Sequence, residues 1–146
     1  MKNSEASQLW SEMQRTHDML KCREGQVLGK VGLSSEQFGV LMAICTNGSV
    51  RVTDIANQIT RSVNSVSMLV DRMVKAGLVK RVRDKEDRRV VNVYITEKAK
   101  SILVQAIRAE EDFVLLVFSD MTLEGKQTLT RRLKSFQDRV EELLSI

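Results

Sequence analysis

Proline is absent from all 146 residues of this chain, and cysteine and histidine are scarce. Because proline cannot continue a helix beyond its first turn, its absence favours a mainly helical protein. No apolar run approaches the ~20 residues that cross a membrane, and the first ten residues lack the apolar core of a signal peptide. We therefore expect a cytoplasmic protein in which both cysteines, Cys22 and Cys45, remain free thiols.

The side-chain clusters on which catalysis and metal binding depend are missing as well. The single histidine, His17, has no cysteine or acidic cluster at ligand spacing, so the sequence predicts no metal site and no cofactor. It contains no Ser/His/Asp or Cys/His constellation and no glycine-rich phosphate loop. These absences predict that the protein is not an enzyme.

Residues 52–96 combine two short helical patterns with a hairpin. Thr53 is the predicted N-cap of the first helix, whose inward residues are Ile55, Ala56 and Ile59. Apolar residues of the second helix recur at three- and four-residue steps, which places on one stripe Val63, Val66, Val70, Met73 and Val74. Gly77 is the expected stop of this helix. Strand alternation follows at Val91, Val93 and Ile95. This order predicts a winged helix-turn-helix.

The remaining segments predict amphipathic helices before and after this stretch. Residues 4 to about 30 carry a stripe of Leu9, Met13, Thr16 and Leu20. Ser34 and Gln37 fit a capping box, and the buried side of the helix that follows is predicted to be Phe38, Leu41, Met42 and Cys45. Asn47 and Gly48 end this helix. A long helix follows Thr96, and six residues are predicted to lie near one face of it, namely Ala99, Ile102, Ala106, Ala109, Phe113 and Val117.

Thr122 is the predicted N-cap of a last helix, whose apolar residues recur every three or four positions at Leu129, Leu133, Phe136, Val140 and Leu143. That spacing is typical of a helix that packs along another helix. The end helices are long relative to the module between them, so we predict that they pack against their copies in a homodimer. The alternative is that they only complete the core of a monomer.

Positive charge is concentrated in one part of the chain. Residues 61–89 hold nine Lys or Arg and four Asp or Glu, a net charge of +5 in a chain whose total is +4. The excess therefore lies on the second central helix and the hairpin, as a nucleic-acid surface requires. A solvated charged face is the alternative interpretation.

Residues 78–96, LVKRVRDKEDRRVVNVYIT, resemble without a gap the wing of the MarR family of bacterial transcription regulators. Asp87-Arg88-Arg89 matches the Asp-Arg-Arg signature of that wing, and Thr96 its closing threonine. Residues 33–41 match the helix before the helix-turn-helix, and residues 70–79 the end of the recognition helix. The sequence departs from the family at Arg83, Ile95 and Ala99, where proline, leucine and glycine are usual.

The resemblance covers essentially the whole chain. It implies a single MarR-like domain, mainly α with a small β-wing. Residues 33–96 would form the DNA-binding winged helix-turn-helix lobe, and residues 1–32 and 97–146 the dimerisation helices.

The predicted contacts to double-stranded DNA fall into three groups. Basic side chains release counterions from phosphates and would position the protein, namely Arg61, Lys75, Arg83, Lys85 and Arg88. Short side chains that let a helix approach base edges are Ser62, Asn64, Ser65 and Ser67, with Met68 beside them. For Ser62 a plain N-cap is the alternative. By resemblance Arg89 enters the minor groove, and Asp87 either orients an arginine or serves as a turn residue.

The resemblance implies a dimeric regulator, usually a repressor, on a pseudo-palindromic operator. A small aromatic or phenolic ligand would modulate its binding from a pocket near Trp10, Met13, His17, Phe38 and Met42. One alternative is a thiol-based redox-sensing regulator that acts through Cys22. Another is a winged-helix protein-interaction module without DNA binding, against which the basic cluster of the hairpin argues.

Overall fold

The computed structural model describes residues 4–145 of the chain. Their elements are, in order, α1 (Ser4–Gly29), α2 (Ser35–Asn47), β1 (Val50–Arg51), α3 (Val52–Gln58), α4 (Val63–Lys75), β2 (Val79–Arg83), β3 (Val91–Ile95), α5 (Glu97–Val117) and α6 (Leu123–Leu144). This order confirms the predicted mainly α fold with a small β-wing. None of the helices between residues 4 and 145 is both long enough and apolar enough to cross a membrane.

The chain divides into two compact units, Met1–Glu110 and Glu111–Ile146, with the boundary inside α5. The first part of α5 belongs to the core of the first unit, because Ala99, Leu103 and Ala106 are buried there. Residues 1–3 and 146 of the two predicted dimerisation segments lie outside the described residues. The division of labour between a DNA-binding lobe and dimerisation helices stays a prediction.

A three-stranded antiparallel sheet with the order β1-β3-β2 lies beside α2, α3 and α4 in the first unit. Val93 of the central strand pairs with Val50 on one side and Arg81 on the other, and it is fully buried. β1 contains only two residues, and each of them pairs with one residue of β3. The largest buried side chains of the core include Leu28, Leu41, Ile44, Ile55 and Met73.

Helix ends occur where the capping residues predicted them. Ser34 Oγ accepts the N–H of Gln37 at 3.1 Å, and Gln37 Oε1 accepts the N–H of Ser34 at 2.9 Å, which completes the capping box. Thr122 Oγ1 accepts the N–H of Gly125 at 3.1 Å. Gly77, just after α4, adopts the left-handed conformation with φ +72°. The backbone N–H of the next residue, Leu78, donates to the Met73 carbonyl in the last turn of the helix. These three predictions are confirmed.

The predicted N-cap of α3 is wrong. The helix begins at Val52, so Thr53 is already inside its first turn. The residue at the N-cap position is Arg51, whose backbone N–H donates to Asp54 Oδ2 at 3.2 Å. An arginine side chain has no acceptor, and the cap is therefore closed from the other end by the carboxylate.

Cys45, which was predicted on the buried side of α2, is exposed. Val63 and Val74 of the predicted α4 stripe and Val117 of the predicted α5 face are exposed as well. Apolar residues surround most of α2, so their spacing does not single out one face; the buried side centres instead on Val40, Leu41 and Ile44. Val63 is the first residue of α4, and Val74 lies about 100° round the helix from Met73. The sequence stripe also omitted Leu69, which is buried.

Candidate nucleic-acid interface

The N-terminal half of α4 turns one face to the core and the opposite face to solvent. Val66 and Val70 are buried. Asn64 and Ser65, which precede Val66, are exposed, and so is Met68, which lies between the two valines in sequence. We call these three residues the reading face. Met68 is 64% exposed, a large apolar side chain that finds no cover in its own unit. The reading face therefore offers short polar groups and one apolar contact to a surface outside the chain.

Ser62 opens α4 as its N-cap. Its Oγ accepts the N–H of Ser65 at 3.2 Å and donates to Ser65 Oγ at 2.8 Å. The capping alternative for Ser62 is confirmed. Because the cap fixes the first turn, the neighbouring Asn64 is presented from a rigid helix start rather than from a loop.

One basic side chain of the hairpin is turned toward α4 instead of solvent. Arg81 Nη2 donates to the carbonyl and the hydroxyl oxygen of Ser67, both at 3.2 Å, and lies 3.1 Å from Asp71 Oδ1. The Arg81 side chain is only 32% exposed. We call these three residues the Arg81 clamp. It joins β2 to α4, and it occupies the hydroxyl of Ser67, which the sequence had placed among the base contacts.

The hairpin of β2, residues 84–90 and β3 forms the wing, and Asp84 organises its turn. The backbone N–H of Asp84 donates to the Val90 carbonyl at 2.9 Å. Its Oδ1 accepts the N–H of Glu86 at 2.9 Å and that of Asp87 at 3.1 Å. These two backbone hydrogen bonds, with a smaller contribution from the charge of Arg51, hold the pKa of the Asp84 carboxyl below its usual value.

Asp87 serves the turn rather than an arginine side chain. Its Oδ1 accepts the backbone N–H of Arg89 at 2.9 Å, and its carbonyl accepts the N–H of Val90 at 2.9 Å. Between residues 4 and 145, no ion pair joins Asp87 to a guanidinium group. The turn interpretation is confirmed, and Asp87 positions Arg89 only through its backbone.

Four predicted phosphate contacts and the predicted minor-groove residue Arg89 are exposed and form no ion pair among the described residues. The four phosphate contacts are Lys75, Arg83, Lys85 and Arg88. Arg61 differs from them, because its Nη2 lies 3.0 Å from Glu36 Oε1. Both partners line an open cavity of about 250 Å³ against α4, together with Ile59, Ser65, Val66, Met68, Leu69 and Arg72. The sequence carries no local signal for this pair, since α2 and the start of α4 are far apart along the chain.

The C-terminal end of α4 is held by the segment that follows the wing. Lys98 Nζ donates to the Ala76 carbonyl at 2.9 Å, close to the negative end of the helix dipole. Thr96 donates to the Gly77 carbonyl at 2.7 Å and accepts the N–H of Ala99 at 3.2 Å. The closing threonine of the wing thus ties the recognition helix to α5, and α4 is fixed at both ends.

The residues predicted to surround a ligand lie on α1 and α2. Trp10 and His17 are exposed, Met13 and Met42 are half-buried, and Phe38 belongs to the core. Met42 and Phe38 lie together on α2. Trp10, Met13 and His17 lie on α1, outside the buried core of the unit. The ligand pocket stays a prediction.

Neither metal nor thiol chemistry gains support from the described residues. Within residues 4–145 no group of three His, Cys, Asp or Glu side chains could hold a metal ion. Cys22 is exposed and free, and the two basic residues beside it are engaged elsewhere, Lys21 with Glu24 at 3.1 Å and Arg23 with Gln26 at 2.9 Å.

The family model described as MarR family matches residues 33–91, which run from just before α2 to the first residue of β3. These are the residues that build the reading face, the Arg81 clamp and the turn of the wing. Over residues 33–91 the chain therefore matches the MarR family. Members of this family are transcription regulators and not enzymes, as the sequence predicted.

A relative from Bacillus subtilis, the uncharacterized HTH-type transcriptional regulator YfiV, is 42% identical over 73 residues. The match covers 50% of this chain and 46% of YfiV, so the chain aligns with about half the length of that relative.

Two similar solved structures share the fold. One is the organohalide-sensing regulator RdhR-CbdbA1625 in its 2,4-dichlorophenol-bound form, with a TM-score of 0.83, 23% identity and coverage of 94% of this chain and 82% of that one. The other is a mutant MarR from E. coli complexed with operator DNA, with a TM-score of 0.74, 21% identity and coverage of 86% and 93%. At these identities the likeness establishes the fold alone.

Proposed function

We propose that this MarR-family chain forms a homodimer that binds a pseudo-palindromic operator in double-stranded DNA and represses transcription there. The observation that carries the proposal is the exposed reading face on α4, a helix that the Arg81 clamp joins to the wing. Four basic side chains of the wing are exposed and form no ion pair among the described residues, namely Arg83, Lys85, Arg88 and Arg89. A helix of this kind fits the major groove, while a wing reaches the flanking backbone and minor groove. A dimer seated on a promoter would exclude the polymerase from it.

The side chains divide into positioning and reading roles. Lys75, Arg83, Lys85 and Arg88 are exposed cations that would neutralise phosphates and set the register on the duplex. Asn64 would pair bidentately with an adenine, because its amide offers a donor and an acceptor side by side. Arg89 would enter the minor groove, where a narrow A·T-rich segment concentrates negative potential.

Two-fold symmetry follows from the apolar stripes of the end helices. The stripe of α6 (Leu129, Leu133, Phe136, Val140 and Leu143) is 38–56% exposed, and no residue of α6 is buried in the single chain. Leu9, Met19 and Leu20 of α1 are exposed as well. A second copy is the partner that would cover them, and its recognition helix would then read a second half-site about one helical turn, ~10 bp, away.

The regulator would act in the cytoplasm, where its DNA lies, and a small aromatic or phenolic compound would modulate its operator binding. In support, RdhR-CbdbA1625 was solved with 2,4-dichlorophenol bound. Such a ligand can shift binding only by its differential affinity for the free and DNA-bound arrangements, and coupling of this kind typically changes affinity about 5–150-fold.

The test begins with selection of bound genomic fragments, followed by fluorescence anisotropy on the recovered operator and on random DNA. Arg89→Ala is expected to lose roughly 1–3 kcal/mol of specific binding and to relax preference at the A·T positions. Lys85→Ala, an exposed cation of the same wing, is the matched control and should weaken both DNAs alike and lower the salt slope by about one. If selection enriches no sequence, the chain is not a sequence-specific regulator, and the result supports the alternative of a winged-helix protein-interaction module.

A further inference from the structure

Arg61 is set apart from the other cations of the candidate interface by its partner. Among residues 4–145, it is the predicted phosphate contact that already holds a carboxylate, that of Glu36 at 3.0 Å. A carboxylate and a phosphate oxygen present the same kind of acceptor to the guanidinium fork, so both cannot use the same face of Arg61 at once. The two groups compete for one donor.

The position of the pair puts this competition at the DNA-facing side of α4. Arg61 immediately precedes the N-cap Ser62, where the positive end of the helix dipole favours an anion. The cavity that Glu36 and Arg61 line is also lined by Ser65 and Met68 of the reading face. A phosphate that approaches the start of α4 therefore meets a guanidinium that Glu36 has already neutralised.

Burial does not lock the pair in place. The side chains of Arg61 and Glu36 are 57% and 50% exposed, so water screens their attraction and either partner can be exchanged. Among the described residues, Arg61 is the one ion-pair partner of the Glu36 carboxylate, which lies in the first turn of α2. Because an exposed ion pair of this kind contributes about 0–1 kcal/mol, a DNA phosphate can displace Glu36 from Arg61.

We propose that Glu36 is an intramolecular competitor of DNA phosphate at Arg61, which lowers affinity for operator and random sequences alike. This inference rests on the proposed DNA-binding function and adds to it a positioning residue that limits affinity. Because the affinities for operator and random DNA fall alike, Glu36 leaves the specificity ratio unchanged. It would shorten the time that the protein stays bound to either kind of site without touching a base.

The experiment measures dissociation constants on operator and random DNA over a range of salt for the full chain. Glu36→Gln should raise affinity for both about two- to five-fold, as expected for removal of an exposed ion pair. Its salt slope should become steeper by about one, because a free Arg61 releases one more counterion on binding. Glu86→Gln is the matched control, since it removes an exposed acid of the wing turn that has no ion pair among the described residues.

The decisive variant is Arg61→Ala combined with Glu36→Gln. If Glu36 acts through Arg61, the gain in affinity from Glu36→Gln disappears in the Arg61→Ala background, whereas the effect of Glu86→Gln on affinity is the same with and without Arg61. A gain that survives the loss of Arg61 means plain repulsion of phosphate and overturns the proposal. An unchanged affinity and slope in Glu36→Gln overturns it as well.

Two further measurements distinguish the proposed competition from a change in folding and from a failure of the proposed DNA-binding function. Glu36→Asp keeps a negative charge in the first turn of α2 but shortens the reach to Arg61, so it should give part of the same gain with the fold intact. No gain from Glu36→Asp, with unchanged thermal stability, counts against the proposal. If the wild-type chain itself shows no preference for any sequence, the proposed function fails, while the comparison of Glu36→Gln with wild type on random DNA still decides the competition.

Discussion

Replacing Arg81 with alanine is expected to loosen the wing from the recognition helix. The change removes two hydrogen bonds to Ser67 and the ion pair with Asp71. A hydrogen bond contributes about 0.5–1.5 kcal/mol net, and a partly exposed ion pair about 0–1 kcal/mol. The Ser67 carbonyl keeps its place in the helix and the Asp71 carboxylate is exposed to water, so no buried polar group is left without a partner. We therefore expect a loss of about 1–2 kcal/mol of unfolding free energy.

Thermal and denaturant unfolding measure this loss. For a chain of this size, the melting temperature should fall by roughly 2–8 °C. Arg83→Ala is the matched control, because Arg83 lies two residues further along β2, is exposed, and has no ion pair among the described residues. Its unfolding free energy should stay within about 0.5 kcal/mol of wild type, as is usual for exposed positions.

DNA binding distinguishes the clamp from a phosphate contact. Arg81 bonds to the protein, so Arg81→Ala should reduce discrimination between operator and random DNA and leave the salt slope unchanged. Arg83→Ala should instead leave the discrimination between operator and random DNA unchanged and lower the salt slope by about one. An Arg81→Ala variant with wild-type stability and a reduced salt slope would refute the reasoning, because the Arg81 guanidinium would then contact a DNA phosphate rather than α4.

Three further outcomes are expected. The pKa of the Asp84 carboxyl is lowered in the folded state. Its hydrogen bonds to Glu86 and Asp87 therefore contribute fully to stability above a pH of about 4, and this contribution is lost as the pH falls through the lowered pKa. Amide NMR signals of the turn should report this loss, and Asp84→Asn should abolish its pH dependence. Leu133→Asp should dissociate or unfold the dimer, since it would bury an unpaired charge in the proposed interface, and sedimentation that shows a wild-type monomer at micromolar concentration would contradict that interface. Trp10 emission and operator affinity should change together on titration with an active aromatic ligand, and a panel in which no compound alters both would exclude ligand control and return attention to the Cys22 thiol.

Local chemistry explains what the sequence by itself determined. A capping box needs only Ser34 and Gln37, a helix stop only Gly77, and the last N-cap only Thr122, and in each case the deciding atoms lie within a few residues of one another. The strand alternation around Val93 was equally local. These signals predicted the element order, the mainly α class and the winged helix-turn-helix before any contact between elements was known.

Tertiary structure alone decided which faces are buried and which charges meet. Periodicity could not place Cys45, because apolar residues surround most of α2 and only the packing of its neighbours selects a side. It could not find the partners of Arg81 on α4, nor that of Arg61 on α2, since each pair joins elements far apart in sequence. A basic residue that binds DNA and one that binds its own chain look the same in a sequence; they differ only in whether folding brings a carboxylate within about 3 Å of the guanidinium.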